Sequence, residues 1–354
     1  MDEFRVMCGR GLLDDLDAVV RPPYVVVTME NLWDRFRGHF GNGLGRVHFV
    51  TSLDLAKLEV AAEGCAAMAA VIGLGGGQAL DVAKFFSWRL GLPLFQVPTA
   101  LSVNAAFAHR AGVRDGALVR YVGWSRPEAV WLDLDVIRSA PPHLNWCGAS
   151  DILCYHTAHW DWQYASRVGR CEQRWPYDAA MVEEAARVMQ TIVDDARAVH
   201  DLTDEGVMTL SRGLSWGGCA FANSGWNPRA IEGSEHFVFY ALESVTGRRF
   251  IHGQAVGLGT LLMSALQDNR PEEIRLVFDA IGIPYRPAEM GVTWDDTARA
   301  LRRLPETVKE GRLWYTVASD HLVSEAFIDE ARDWIDGEPR TFDRSVLETV
   351  IHAG

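Results

Sequence analysis

The chain has 354 residues, 48% of them hydrophobic and 23% charged, and carries a formal charge of −13 at pH 7. That length is too great for one ordinary core and suits two packed domains, and the composition is that of a folded chain rather than a disordered one. No run of about 18 uncharged apolar residues is present to span a bilayer, and an acidic chain without a Lys/Arg cluster argues against nucleic acid as a partner.

The opening stretch MDEFRVMCGRGLLDDLDAVV has acids ahead of any long apolar block and no small-residue cleavage site after one. It does not read as a secretory signal, so the expected address is cytoplasmic. Cys8, Cys65, Cys147, Cys154, Cys171 and Cys219 are scattered with no CxxC pair, which fits reduced thiols used in packing better than a disulfide framework or a Cys-based zinc site.

Short β-rich runs then alternate with helical patterns. Candidate strands are YVVVT (24–28), VHFVT (47–51), AVIG (70–73), LFQV (94–97) and AVWL (129–132), separated by the helical patterns ENLWDRFRGHF, LDLAKLEVAAEGCAAMA and ALDVAKFFSWRL. This alternation predicts an α/β, Rossmann-like doubly wound parallel sheet over residues 1–142. At APPHLNW (140–146) the proline pair ends the preceding element, and after it the strand signal stops. In DAAMVEEAARVMQTIVDDARAVH (178–200), Val182, Ala185, Met189, Ile192, Ala196 and Val199 recur at three- and four-residue steps. Residues 143–354 therefore read as an all-helical second domain.

Within the first domain, VIGLGGGQALDVAKFF (71–86) runs from strand through glycines into a helix. That order lets backbone N–H groups and a helix N-terminus meet a pyrophosphate with no Cβ in the way, which makes Gly75, Gly76 and Gly77 candidate dinucleotide contacts. The GxGxxG spacing is absent, so a tight βα turn without a ligand is the alternative. Asp81 and Lys84 stand one helical turn apart, either as an i,i+3 ion contact or with Lys84 offering its charge to a substrate or cofactor phosphate. Next, VPTALSVNAAFAH (97–109) follows a strand directly and puts Thr99, Ser102 and Asn104 where open parallel sheets bind ligands. The alternative for Thr99 and Ser102 is capping of the following helix.

The second domain offers metal-ligand chemistry. GASDILCYHTAHWDWQYA (148–165) opens with Asp151, EGSEHFVFYALE (232–243) contains His236, and FIHGQAVGLGTLL (250–262) presents His252. One carboxylate and two imidazoles are what a catalytic Zn2+ or Fe2+ needs if a position is to stay open for an alcohol oxygen. His156 and His159, one turn apart and beside Asp151, form a rival cluster that spacing alone does not exclude.

Taken together, GLGGGQALDVAK, VPTALS, GASD with TAHWDWQYA, GSEH and IHGQAVGLGTLL, in that order from about residue 20 to 265, resemble the metal-dependent polyol dehydrogenase superfamily. That superfamily holds the iron-containing alcohol dehydrogenases, glycerol dehydrogenase and glycerol-1-phosphate dehydrogenase, the last being the branch the chain most resembles, with dehydroquinate synthase more distant. The resemblance implies a nucleotide-binding α/β domain followed by a helical domain with the site between them. It implies Asp151, His236 and His252 as ligands of Zn2+ or Fe2+, Gly75, Gly76 and Gly77 as pyrophosphate contacts, and Thr99 and Ser102 as lining of the nicotinamide pocket. His156 and His159 fall outside its ligand positions. It also implies a homo-oligomer.

The activity so implied is NAD- or NADP-dependent interconversion of a small polyol or polyol phosphate and its ketone, the metal acting as a Lewis acid and the nicotinamide taking the hydride. Glu30, just past the first strand in VVVTMEN, favours NAD. A sugar-phosphate cyclase of the dehydroquinate synthase type ranks second, since those enzymes carry Glu where Asp151 stands. A 2-His-1-carboxylate iron oxygenase and a nucleotide-binding relative without turnover rank below it. Three positions depart from the glycerol-1-phosphate branch: Asn104 stands for its usual aspartate, and Phe239 with Tyr240 for its usual Ser-His pair. These changes remove a fixed negative charge and a titratable ring, so the expected substrate pocket is narrower and drier, with Asn104 and Tyr240 among its residues.

Overall fold

A computed structural model describes residues 5–115, 118–223 and 227–347. By internal packing the chain divides into two compact units, Met1–Asn145 with Leu214–Trp226 and Trp146–Gly213 with Asn227–Gly354.

Among its described residues the first unit holds eight strands: β1 (Val6–Gly9), β2 (Tyr24–Thr28), β3 (Leu44–Phe49), β4 (Ala70–Gly75), β5 (Leu94–Pro98), β6 (Ala111–Asp115), β7 (Leu118–Val122) and β8 (Ala129–Asp133). Six of them form one parallel sheet in the order β1-β8-β5-β4-β2-β3, and β6 and β7 pair apart from it as an antiparallel hairpin. Every residue of β2, β4 and β8 is buried, as expected of parallel strands covered on both faces. Successive residues of β2 feed two different cores, because side chains alternate across a sheet. Val25 and Val27 pack with Val71, Val82, Ala83 and Phe86, whereas Tyr24 and Val26 pack with Ile72, Leu74, Val97 and Trp131.

The winding direction reverses at β2, which pairs with β3 on one side and β4 on the other. That makes the carboxyl ends of β2 and β4 the switch point, where open α/β sheets take their ligands. The expected strands are all present, with β3 starting three residues earlier than its pattern and β4 and β5 running on to Gly75 and Pro98. β1 and the β6–β7 hairpin were not expected. β1 is a four-residue edge strand, VMCG, whose residues alternate between exposed and half-buried, so its apolar run is only three residues long.

The second unit is helical, with no strand among its described residues. The amphipathic pattern at 178–200 forms two helices, Ala179–Asp194 and Ala196–His200, the first capped by the Asp178 carboxylate, which accepts from Ala180 N and Met181 N. Among the described residues no helix is long and apolar enough to cross a membrane.

Candidate functional site

In the first unit the glycine turn sits at the switch point. β4 ends on Gly75 at φ 153°, Gly76 is extended, and the helix Gly77–Leu90 starts at once. The three glycines have different reasons to lack a side chain. A Cβ on Gly75 would lie 2.8 Å from the Ala79 Cβ, and one on Gly77 would lie 2.8 Å from the Val103 Cγ1, so packing within the chain accounts for both. A Cβ on Gly76 would meet nothing within 4 Å. The space in front of Gly76, at the first N–H groups of a fourteen-residue helix, is what a dinucleotide phosphate requires.

The loop after β5 is tied to this turn. Thr99 N donates to the Gly75 carbonyl at 3.0 Å, Thr99 is buried, and Ser102 and Asn104 are half-buried. The 3-10 turn Asn104–Phe107 is preceded by Val103 and has no side-chain cap, so neither Thr99 nor Ser102 caps it. A residue that sequence reasoning missed holds the loop: Asn145, with no exposure, accepts from Leu101 N at 2.7 Å and donates to the Ile137 carbonyl at 3.1 Å. Lys84 differs from the phosphate-binding expectation. Its ammonium is buried, 2.7 Å from the Asp81 carboxylate and 2.7 Å from the Arg110 carbonyl, to which it donates. The pair faces the start of the hairpin, where Gly112 leaves room for Asp81, and the i,i+3 contact is what the two residues make.

In the second unit three helices supply one side chain each. Asp151 lies on the helix Pro142–Leu153, His236 is the third residue of the helix Ser234–Thr246, and His252 begins the helix His252–Leu266. Their ligand atoms lie within 4.8 Å of one another. His236 Nε2 and His252 Nε2 are 3.2 Å apart, and His252 Nε2 is 3.2 Å from Asp151 Oδ1. Glycines allow this convergence. A Cβ on Gly253 would lie 1.9 Å from the Cys147 carbonyl oxygen, and one on Gly259 would lie 2.4 Å from that of Glu235, so the third helix packs against the other two at backbone distance.

The donor set fits a divalent cation. Bonds of about 2.0–2.1 Å at tetrahedral angles place donors roughly 3.3 Å apart, and three protein donors leave a position open. His236 and Asp151 are buried, while the His252 side chain keeps 22% exposure. Burial by itself would lower the basicity of His236, yet Glu232, the hydrogen bond to Glu235 and the Asp151 charge outweigh it and push the imidazole up to about 9. That surplus of negative charge suits a cation.

Among the described residues His156 and His159 belong to no group of three potential ligands. His156 Nε2 meets the Asn269 carbonyl at 2.6 Å, and burial drives His156 down and His159 down to about 4. Cys154, Glu235 and His236 also group their ligand atoms, but the Cys154 thiol donates to the Asp151 and Ile231 carbonyls and burial raises it well above its usual range. It is held as a neutral donor, unlike a thiolate ligand. The Phe239 ring stands edge-on to His252 at 4.9 Å, and the buried Tyr240 packs against Phe239 at 5.2 Å.

Residues 40–141 match the sequence model of a family described as iron-containing alcohol dehydrogenase. The chain is similar to a glycerol-1-phosphate dehydrogenase (NAD(P)+) of Methanosarcina barkeri, 34% identical over 222 residues, which are 63% of this chain and 61% of that protein. The chain thus spans about three fifths of the length of that relative. To the protein of the same description from Methanococcoides burtonii it is 32% identical over 255 residues, 72% of this chain and 69% of the relative. Among solved structures, a probable glycerol dehydrogenase from Sinorhizobium meliloti shares the fold with a TM-score of 0.70 at 18% identity, covering 94% of this chain and 96% of that one.

Proposed function

We propose, from the premise that the chain belongs to the iron-containing alcohol dehydrogenase family on its glycerol-1-phosphate dehydrogenase side, that it is an NAD(P)- and divalent-metal-dependent oxidoreductase interconverting a small polyol or polyol phosphate and its ketone. The observation that carries this reading is the convergence of Asp151, His236 and His252 in a buried, negatively charged pocket with one imidazole partly open. When bound, Zn2+ or Fe2+ supplies Lewis-acid polarisation of the substrate oxygen and NAD or NADP supplies the hydride acceptor, so that alcohol and oxidised cofactor give ketone, reduced cofactor and a proton. Asp151, His236 and His252 hold the cation, and the half-exposed His252 marks the side open to substrate. Gly76 admits the pyrophosphate, Gly75 and Gly77 shape the turn around it, and Thr99 and Ser102 line the nicotinamide position on a loop fixed by Asn145. The nucleotide belongs to residues 1–142 and the metal and substrate to residues 143–354. Phe239, edge-on to His252, keeps water from that face, with Tyr240 behind it.

Cytoplasmic location and a homo-oligomer complete the reading. Asn104 and the Phe239–Tyr240 pair, which stand where the resemblance to glycerol-1-phosphate dehydrogenases leads one to expect an aspartate and a Ser-His pair, support an alcohol or polyol-phosphate dehydrogenase not committed to glycerol 1-phosphate. Comparing dihydroxyacetone phosphate, dihydroxyacetone and bulkier hydroxy-ketones as oxidants of reduced cofactor tests both levels. Turnover of one of them, abolished by chelation, is expected for the enzyme. A strong preference of the wild type for dihydroxyacetone phosphate, unchanged in Asn104→Asp, would remove the proposed change of substrate.

A further inference from the structure

Behind His236 stands an acid with no exposure to solvent. The Glu235 carboxylate accepts from Gly233 N at 2.6 Å, from the Thr157 hydroxyl at 2.7 Å and from His236 Nδ1 at 2.8 Å. Adjacent residues do not face each other along a helix, so a contact between residues 235 and 236 has to be built. It is built at the helix start: a Cβ on Gly233 would lie 2.7 Å from the Ala158 Cα, 2.8 Å from Glu235 Oε2 and 2.8 Å from Asp161 Oδ2, so glycine there leaves room both for the neighbouring backbone and for the two acids. Asp161 in turn accepts from Ser234 N at 2.8 Å and from Val317 N at 2.9 Å, pinning the first turn.

A carboxylate can only accept, so Nδ1 of His236 carries a hydrogen, and once the ring is neutral the lone pair of Nε2 faces His252 and Asp151. We infer that Glu235 is a positioning residue that fixes the tautomer and ring orientation of His236 for cation binding. The inference rests on the reading that Asp151, His236 and His252 hold a divalent cation. Thr157, from the helix Tyr155–Arg167, and Gly233 hold Glu235 in place by hydrogen bonds that do not touch the cation.

The test uses the full chain stripped of metal and titrated with Co2+ and Zn2+, read by the cobalt visible spectrum and by competition with a chromophoric chelator. Glu235→Gln nearly keeps the shape but removes the charge and sets an amide donor among donors; it should bind roughly 10–100-fold more weakly, with an altered cobalt spectrum. Thr157→Val removes one support and keeps the charge, and should lose at least about threefold, less than Glu235→Gln. A folded Glu235→Gln with wild-type affinity and spectrum overturns the inference. If Glu235→Gln does not fold, Thr157→Val decides, and unchanged binding there overturns it. His252→Ala separates the two levels. A wild type that binds no cation, or binding that survives His252→Ala, overturns the triad and Glu235's role with it; binding lost in His252→Ala but kept in Glu235→Gln overturns the role of Glu235 alone.

Discussion

The turn after β4 and the Asp151–His236–His252 cluster are made from opposite materials. The turn consists of backbone N–H groups and empty space at Gly76, and its surroundings require glycine at Gly75 and Gly77. The cluster offers three side chains from helices separated by up to about a hundred residues, brought together by glycines that face other backbones rather than the ligand. A site of backbone is written in contiguous sequence and is broken by adding an atom. A site of side chains is written in scattered residues and is broken by removing one.

The largest effect belongs to the second case. In His252→Ala two donors remain, too few to hold zinc in a catalytic geometry. Metal content by atomic absorption after dialysis should fall to near zero with an unchanged circular dichroism spectrum. Metal kept there but lost on changing His156 and His159 together would place the site elsewhere. The complementary change is Gly76→Val. Because nothing within 4 Å opposes the added Cβ, stability should move by less than about 1 kcal/mol, while nicotinamide cofactor affinity in a fluorescence titration should drop by about 100-fold, or ~3 kcal/mol. Unchanged affinity in the folded variant would make the turn purely structural.

A smaller effect sharpens the electrostatic side of the comparison. Without metal, His236 holds its proton up to about pH 9, and a cation must displace it. Zinc affinity should therefore rise by about tenfold per pH unit and level off above about 9, as read by calorimetry in buffers of different ionisation enthalpy. The sign for stability of the metal-free chain is opposite: the raised imidazole contributes fully below its unfolded value near 6.5, and the contribution is lost as the pH rises through 9. A flat zinc affinity between pH 7 and 9 would mean that His236 is already neutral. The smallest effect is at Asn145, which joins neither ligand surface directly. Asn145→Ala leaves Leu101 N and the Ile137 carbonyl without partners and should cost about 1–3 kcal/mol in urea unfolding, with only a several-fold loss of cofactor affinity.

Much of the sheet could be read from the chain because β2, β4 and β8 are buried on both faces and so appear as apolar runs of five or six residues; the three apolar residues of β1, half-exposed at the edge, are too few to stand out. The residue types at the triad were legible and the resemblance grouped them as ligands of one cation, whereas spacing alone left His156 and His159 as rivals. His156 and His159 satisfied the same spacing argument until packing turned His156 to the Asn269 carbonyl. Lys84 was readable as a charge near a ligand turn, and only the hairpin that covers it shows the Arg110 carbonyl it meets. Glu235 was hidden in plain view in GSEH, because helical periodicity gives no reason for neighbours to touch.

The first unit is discontinuous: Leu214–Trp226 belong with Met1–Asn145, and Gly218 comes so near Phe107 that a Cβ there would lie 2.6 Å from its carbonyl oxygen. During synthesis the sheet is therefore complete well before the last piece of its unit is made. At roughly 5–20 residues per second, the 81 residues from 146 to 226 take on the order of 4–16 s to follow. A fragment cut after residue 142 lacks Gly218, the residue packed against the Phe107 carbonyl.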